Sequence, residues 1–397
     1  MKPVEISKGI YDVGVNDWNI KDFHGYSTPY GTSYNAFLVI DEKIALIDTV
    51  KSEFADQLID NISAIVDPRK IDYVVSNHTE MDHSGALARV MHRIGEEKPL
   101  YCSKMGHKNL SQHFSHDWHY HPIENSEELS LGEKTLTFLE TRMLHWPDSM
   151  FTFIKEDGIL FSSDAFGQHY AGFEKFDDVV GHTIMLHAQK YYANILMLFA
   201  PLIQKLVDKV RQMGLDIKMI CPDHGIIWRQ SPGKIIDAYV QWSRHHTEHK
   251  AVVVYDTMWH STEKMADAIA TGLYEQGVRV RPMYLRKWHR SDIMTDVLDA
   301  KAVVVGSPTL NNGLFPTISD FLTYMKGLKP QQKIGGAFGS YGWSGESVKL
   351  IQQELEAMKF DIIEPGIKSH FVPDTDGSNT AYEFGKKIGQ AIIASGD

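Results

Sequence analysis

The chain has 397 residues, 43% of them hydrophobic, which suits two or three ordinary globular domains that each bury a core. A formal net charge of −11 argues against a nucleic-acid partner. Cys102 and Cys221 are the two cysteines and lie far apart, which excludes a disulfide framework and any Cys-x-x-Cys redox or iron–sulfur site. No apolar leader follows Met1 and no run approaches the ~18 apolar residues of a membrane span, so no membrane segment is expected and the protein is expected in the cytoplasm.

Residues 10–15, 33–40 and 43–48 are short apolar runs bounded by turn signals, and Asp41-Glu42 between the last two predicts a hairpin. Residues 52–66 place Phe54, Leu58, Ile59, Ile62 and Ile65 at helical spacing, and Pro68 ends that helix. Residues 71–75 read as a buried strand running into Ser76-Asn77-His78-Thr79-Glu80-Met81-Asp82-His83-Ser84-Gly85. Two imidazoles and two carboxylates thus fall within six positions on a loop held by a rigid strand, where sites are built. A polar surface loop is the plain alternative, but charged groups seldom cluster without partners.

The pattern His-x-Glu-x-Asp-His resembles the metal loop of the metallo-β-lactamase fold, whose hydrolytic members usually carry His-x-His-x-Asp-His and bind zinc. Glu80 in place of the second histidine hardens the ligand set and shifts the expectation toward iron or manganese. Residues 86–94 read as a helix. His107, His113, His116, His119 and His121 follow at irregular spacing with no carboxylate cluster, and a solvated, locally structural role is expected for them.

Strands at 135–140 and 151–154 flank His145, with Pro147 fixing the turn. A strand at 158–163 delivers Asp164, and the apolar run from Met219 delivers His224. Each candidate ligand therefore follows a strand. Together His78, Glu80, Asp82, His83, His145, Asp164 and His224 give seven donors in the order the β-lactamase fold uses, enough for two metals sharing one carboxylate with positions left open for a small substrate. Asp164, alone on its strand, is the natural bridge.

A helix at 235–242 and a charged, His-rich linker at 243–250 lead to a second domain. Ala251-Val252-Val253-Val254-Tyr255 is a continuous run suited to a central parallel strand. A helix from 263 to 274 follows, then buried strands at 300–305 and 334–338, each opening into a loop rich in Gly, Ser, Thr or Asn. Strands alternating with helices predict an open, doubly wound parallel sheet with its ligand beyond the strand C-termini. The three loops are Thr257-Met258-Trp259-His260-Ser261-Thr262, Ser307-Pro308-Thr309-Leu310-Asn311-Asn312-Gly313 and Ser340-Tyr341-Gly342-Trp343-Ser344-Gly345. In that order they resemble the phosphate loop and the two flavin-flanking loops of flavodoxins. Hydroxyls and N–H groups at a helix N-terminus suit a phosphate, and aromatic rings suit an isoalloxazine. The first loop departs from the usual pattern, with Trp259-His260 where a second hydroxyl and a glycine are common.

The α/β architecture expected is an N-terminal metallo-β-lactamase-like αββα sandwich over residues 1–249 and a C-terminal flavodoxin-like doubly wound parallel sheet over 250–397. This fusion, with Glu80 in the metal loop, resembles the flavodiiron proteins over essentially the whole chain. The resemblance implies a non-haem diiron site with an oxo, hydroxo or water bridge, and an FMN. The pair would reduce dioxygen to water, or nitric oxide to nitrous oxide, with electrons from rubredoxin. His78, Glu80 and His145 would hold one iron and Asp82, His83 and His224 the other, with Asp164 between. In some members the imidazole equivalent to His83 is swung away; ligation is expected here. His24 and Tyr26 fall where the family places residues lining the substrate pocket. A head-to-tail homodimer, or a dimer of dimers, would bring one subunit's FMN beside the other's irons. The chain holds no rubredoxin-type Cys-x-x-Cys module, so a separate carrier is expected to bring the electrons. The rival readings are a metallohydrolase with an accessory flavin domain and a non-catalytic redox or gas sensor.

Overall fold

Successive residues of a strand face opposite sides, so a strand apolar at every position is buried on both. Phe37–Ile40 and Ile44–Ile47 are strands of this kind, and Tyr73–Ser76 is one up to its closing serine. In the computed structural model, which describes residues 2–395, Phe37, Val39, Ala45, Ile47 and Val75 face a second sheet, while Leu38, Leu46 and Val74 pack among the helical residues Leu58, Ile62, Leu87, Val90 and Met91. The predicted hairpin forms, with Ile40 opposite Ile44.

The first sheet has seven strands in the order Val4–Ser7, Ile10–Asp12, Phe37–Ile40, Ile44–Ile47, Tyr73–Ser76, Leu100–Cys102 and Tyr120–Pro122. Its first four strands run antiparallel and the rest join in parallel. The second sheet runs Glu128–Ser130, Thr135–Glu140, Met150–Ile154, Ile159–Phe161 and Met219–Cys221. Leu136, Phe138, Met150, Ile154, Ile159 and Phe161 form its half of the shared core. Phe151 and Leu160 turn the other way, toward the helices Ala200–Met213 and Pro232–Ser243. The result is the expected αββα sandwich.

The second unit is built on Glu248–Tyr255, Arg279–Tyr284, Ala300–Gly306 and Ile334–Tyr341, with Asp361–Ile362 and Ile367–His370 both pairing to the last of these. All pairs are parallel and the first strand lies between the second and third, the order of a doubly wound sheet. The helices Ser261–Tyr274 and Thr375–Ala394 cover one face. The first strand begins at Glu248, inside the segment whose composition reads as linker. Its buried Lys250 is neutralised there by Asp296 and Asp299, 2.8 and 2.6 Å away.

Two stretches of early sequence pack with this unit: Gly25–Ser27 and Ala193–Leu198. Ser27 N–H donates to Ser291 Oγ (3.1 Å) and Asn194 Nδ2 to Ser291 O (3.0 Å), while Tyr324 Oη donates to Asn194 Oδ1 (2.9 Å). The first unit comprises the residues to His24, Thr28–Tyr192 and Phe199–Val240. Among the described residues no helix is long and apolar enough to cross a membrane.

Lys175 is buried in the first unit with Nζ 3.1 Å from Asp12 Oδ2. Removing one side of a buried ion pair leaves an uncompensated charge, at a cost of about 3–5 kcal/mol. Lys175→Met is therefore expected to lower the unfolding temperature of the first unit, and Asp12→Leu added to it to recover part of the loss, as followed by thermal unfolding.

Candidate metal centre

The metal loop is pinned from both sheets. Asp48, in the left-handed region at φ 57°, accepts hydrogen bonds from Asn77 N–H and Nδ2, both at 2.7 Å. Met150 N–H donates to Asn77 O, and Thr152 Oγ1 to Asn77 Oδ1, both at 2.8 Å. The backbone then enters the short helix Met81–Ser84, where Ser84 Oγ donates to Thr79 O and Thr49 Oγ1 to His83 O. His78 and Glu80 are thereby set on the extended stretch and Asp82 and His83 on the first helical turn.

The seven predicted donors come together as two groups. In the first, His145 Nε2 lies 3.1 Å from Glu80 Oε2 and 2.7 Å from Asp164 Oδ2, and His78 Nε2 lies 3.1 Å from Asp164 Oδ2. In the second, His83 Nε2 and His224 Nε2 are each 3.2 Å from Asp82 Oδ2 and 3.1 Å from one another. Asp164 reaches both groups. Its Oδ2 faces the first, and its Oδ1 lies 3.4 Å from His83 Nε2 and 3.5 Å from His224 Nε2.

The far edges of two rings are tied down. His224 Nδ1–H donates to Ser33 O at 2.7 Å, and His78 Nδ1 meets Ser163 Oγ at 3.0 Å. That leaves the Nε2 atoms as lone-pair donors turned to common points. Buried imidazoles and carboxylates converging in this way, with His78 Nε2, Asp82 Oδ1 and Asp164 Oδ1 lacking hydrogen-bond partners, fit two cations with one shared carboxylate. Around them His169 stands 4.7 Å from the His224 ring, with Thr32 Oγ1 on its Nδ1 at 2.8 Å. Tyr34 and Tyr191 lie 5.8 and 6.0 Å from the His224 ring.

His24 is exposed, edge-on to Phe23, whose ring is 6.1 Å from that of His224. Tyr26 is buried in the second unit, where burial first and then Tyr324 and Asp292 raise its phenol. None of the five irregularly spaced histidines joins the donor groups: His121 meets Glu127 at 2.6 Å, His116 stacks on Trp118, and His113 lines a hollow that also reaches His145. Two acids at this site go unassigned in the sequence reading. Asp48 sits at the end of the strand beside the metal-loop strand, and Asp223 directly precedes His224. Position after a strand was the available signal for both.

In the second unit the three loops frame a cavity of about 420 Å³, a size suited to a bound cofactor. Of the expected residues, Met258, Trp259, Ser261, Pro308, Thr309, Asn311, Asn312, Ser340, Tyr341, Gly342 and Trp343 line it, as do Leu310, Ser344 and Phe371. Thr257, Thr262 and Ser307 are buried behind the lining; Thr262 and Ser340 share a hydroxyl hydrogen bond at 2.9 Å, and Ser307 Oγ accepts from Phe315 N–H. His260 is exposed at the N-terminus of the helix Ser261–Tyr274, paired with Glu263. Gly313 closes its turn on Leu310, and Gly345 takes φ 82°. Trp259 and Trp343 stand 84% and 89% exposed, indoles free to cover a planar ring. Hydroxyls at the helix N-terminus with aromatic faces beside them fit a flavin mononucleotide.

Residues 32–225 match the model of the ODP family beta lactamase, and residues 253–385 that of flavodoxin. The chain is 47% identical over 396 residues to a nitric oxide reductase of Moorella thermoacetica, covering 98% of this chain and 99% of that one. It is 44% identical over 397 residues to a rubredoxin-oxygen oxidoreductase of Megalodesulfovibrio gigas, covering 99% and 98%. Among solved structures it resembles rubredoxin oxygen:oxidoreductase from Desulfovibrio gigas, with a TM-score of 0.97, 42% identity and 99% of each chain covered. For the flavodiiron protein from Giardia intestinalis the TM-score is 0.95 at 34% identity, over 99% and 97%.

The metal-free site titrates in a defined sense. Burial opposes the charge on His145, but hydrogen bonds to Asp164 and Glu80 outweigh it and raise the imidazole from 6.5 to about 9. Burial likewise opposes the charge on Glu80, yet His145 and His78 bring it from 4.5 down to about 2. Stability from the raised imidazole is complete below pH 6.5 and lost as pH rises through about 9. That from the lowered carboxylate is complete above pH 4.5 and lost as pH falls through about 2. Metal-free protein is expected to unfold at its highest temperature between pH 4.5 and 6.5. Metal, which needs neutral imidazoles, is expected to move that optimum upward. Calorimetry of chelated and metal-loaded protein across this range checks both.

Proposed function

Because the chain belongs to the flavodiiron protein family, a family of oxidoreductases, we propose that it reduces dioxygen to water, nitric oxide to nitrous oxide, or both, at a diiron site fed through FMN. The observation that carries this reading is Asp164. One buried carboxylate presents a separate oxygen to each of two three-residue groups, as a centre that would hold two neighbouring metals requires. Bound there, two irons would supply Lewis acidity and electrons, and a bound flavin would store electrons.

The chain's own part is placement and exclusion. His78, Glu80 and His145 would hold one metal, and Asp82, His83 and His224 the other. The carboxylates offset metal charge, and Phe23, Tyr34 and Tyr191 wall the His224 side with rings that keep bulk water out. On the other side, a solvent-open hollow lined by Asn109, Gln112, His113, His145, Trp146 and Pro147 leaves the outer edge of His145 within reach of water. In this reading His24 lies on the substrate side, and Tyr26 fixes the segment Gly25–Ser27 that follows it. The family's donor chemistry makes a small rubredoxin-type carrier the partner at the flavin.

A head-to-tail homodimer belongs to the same reading. Each unit exposes an apolar surface of its own: Trp18, Tyr30, Phe173 and Leu186 on the first, and Trp259, Trp343 and Phe371 on the second. Exposed patches of this kind mark interaction surfaces, and self-association would cover both at once while setting one subunit's flavin against the other's metals. Sedimentation is expected to give dimers or their multiples; a monomer that turns over at full rate refutes the pairing.

The deciding assay follows anaerobic loss of added oxygen and, separately, of nitric oxide by protein analysed for iron and FMN and supplied with reduced rubredoxin. Rapid loss of either gas by protein loaded at both centres is expected. Loss of neither, or hydrolysis of a thioester by zinc-loaded protein, would overturn the reading.

A further inference from the structure

Asp223 is fully buried, and neither of its carboxylate oxygens has a hydrogen-bond partner. A buried acid in that state demands an opposite charge or a donor close by. Two candidates face it: His78 Nδ1 at 3.7 Å and His83 Nδ1 at 3.8 Å from Oδ2. These rings belong to different halves of the metal centre. Their Nε2 atoms point toward Asp164 and Asp82, so metal at Nε2 leaves the ring proton on Nδ1, the edge that faces Asp223. His78 Nδ1 also has Ser163 Oγ, but His83 Nδ1 has no hydrogen-bond partner at all. The neighbouring acid Asp48 is already engaged by Asn77.

The backbone holds this arrangement in place. Asp223 N–H donates to Ser163 O at 2.8 Å, and Asn35 N–H donates to Asp223 O at 2.7 Å. Asn35 Nδ2 secures the same turn through Pro222 O and Gly225 O. We propose that Asp223 is a positioning residue of the metal centre: its carboxylate holds the Nδ1 edges of His78 and His83, keeping His83 turned onto its metal and steadying one ligand of each half. The inference rests on the metal reading of the site. A carboxylate behind a ligand imidazole strengthens it as a donor and stabilises the more oxidised metal.

The test compares iron- and FMN-loaded wild type with Asp223→Asn, which keeps the shape and removes the charge. Iron affinity, measured by competition with a chelator, is expected to fall about 10–100-fold. In a redox titration followed by electron paramagnetic resonance, both midpoint potentials of the metal centre should move upward while that of the flavin stays put. Unshifted metal potentials, even with a lower unfolding temperature, reduce Asp223 to a structural group and overturn the proposal. Wild-type protein that takes up no metal overturns the metal reading and this inference with it. If the variant does not fold, wild type labelled with ¹⁵N-histidine and loaded with zinc answers instead. His83 should be metallated at Nε2 with an exchange-protected Nδ1 proton, and metallation at Nδ1 or a rapidly exchanging proton refutes the assignment.

Discussion

The structure turns on one electrostatic constraint. Glu80, Asp82 and Asp164 share a largely buried site with four imidazoles, and Asp48 and Asp223 lie beside them. Ions removed from water without compensation cost several kcal/mol each, so every element of the sandwich near this point serves to bring charges of opposite sign together. In the metal-free state protons provide that compensation. The histidines hold Asp82 and Asp164 well below the usual carboxylate range against the effect of burial, while Asp223, buried beside Asp48, is pushed well above it. Cations at the centre would take over the protons' role, which is why ligand geometry and titration behaviour are two descriptions of one balance.

Much of this was legible in the sequence because ligand residues at strand ends leave a local signature. An apolar run followed at once by His or Asp identifies both the strand and the donor, and the sheet does the rest by ending its strands side by side. His78, Asp164 and His224 each stand out in this way within a few residues of a strand end, while His145 stands in the loop between Thr135–Glu140 and Met150–Ile154. Asp223 escaped the same logic because its neighbour His224 accounted for the motif. Asp48 escaped because an aspartate after a strand is also an ordinary turn residue. The helical region from Asp177 to Met213 left no clear reading, since it includes a π-helical turn, Tyr192–Leu196, whose spacing breaks the helical repeat.

The second unit shows the complementary case. Its central strands carry the apolar runs 251–255, 302–305 and 334–338, and loops follow these runs directly, so sheet and cavity could both be anticipated. Phe371 could not: it joins the cavity from the end of an additional strand, Ile367–His370, that pairs with Ile334–Tyr341. That contact is made by the fold and has no local trace. The polar start of Glu248–Tyr255 was hidden for a different reason. Lys250 looks like a linker residue until Asp296 and Asp299, far along the chain, make it a buried one.

The donors come from both layers of the sandwich: His78 and Asp82 from the loop after a first-sheet strand, Asp164 and His224 from the ends of second-sheet strands. Both cysteines are free and buried, so no covalent tie joins the layers. A bound pair of metals would fasten them as a disulfide fastens a secreted domain, but with a bond that a chelator or an acid medium can open. The chain then carries its cross-link as cargo, and its resistance to proteolysis would follow the supply of iron.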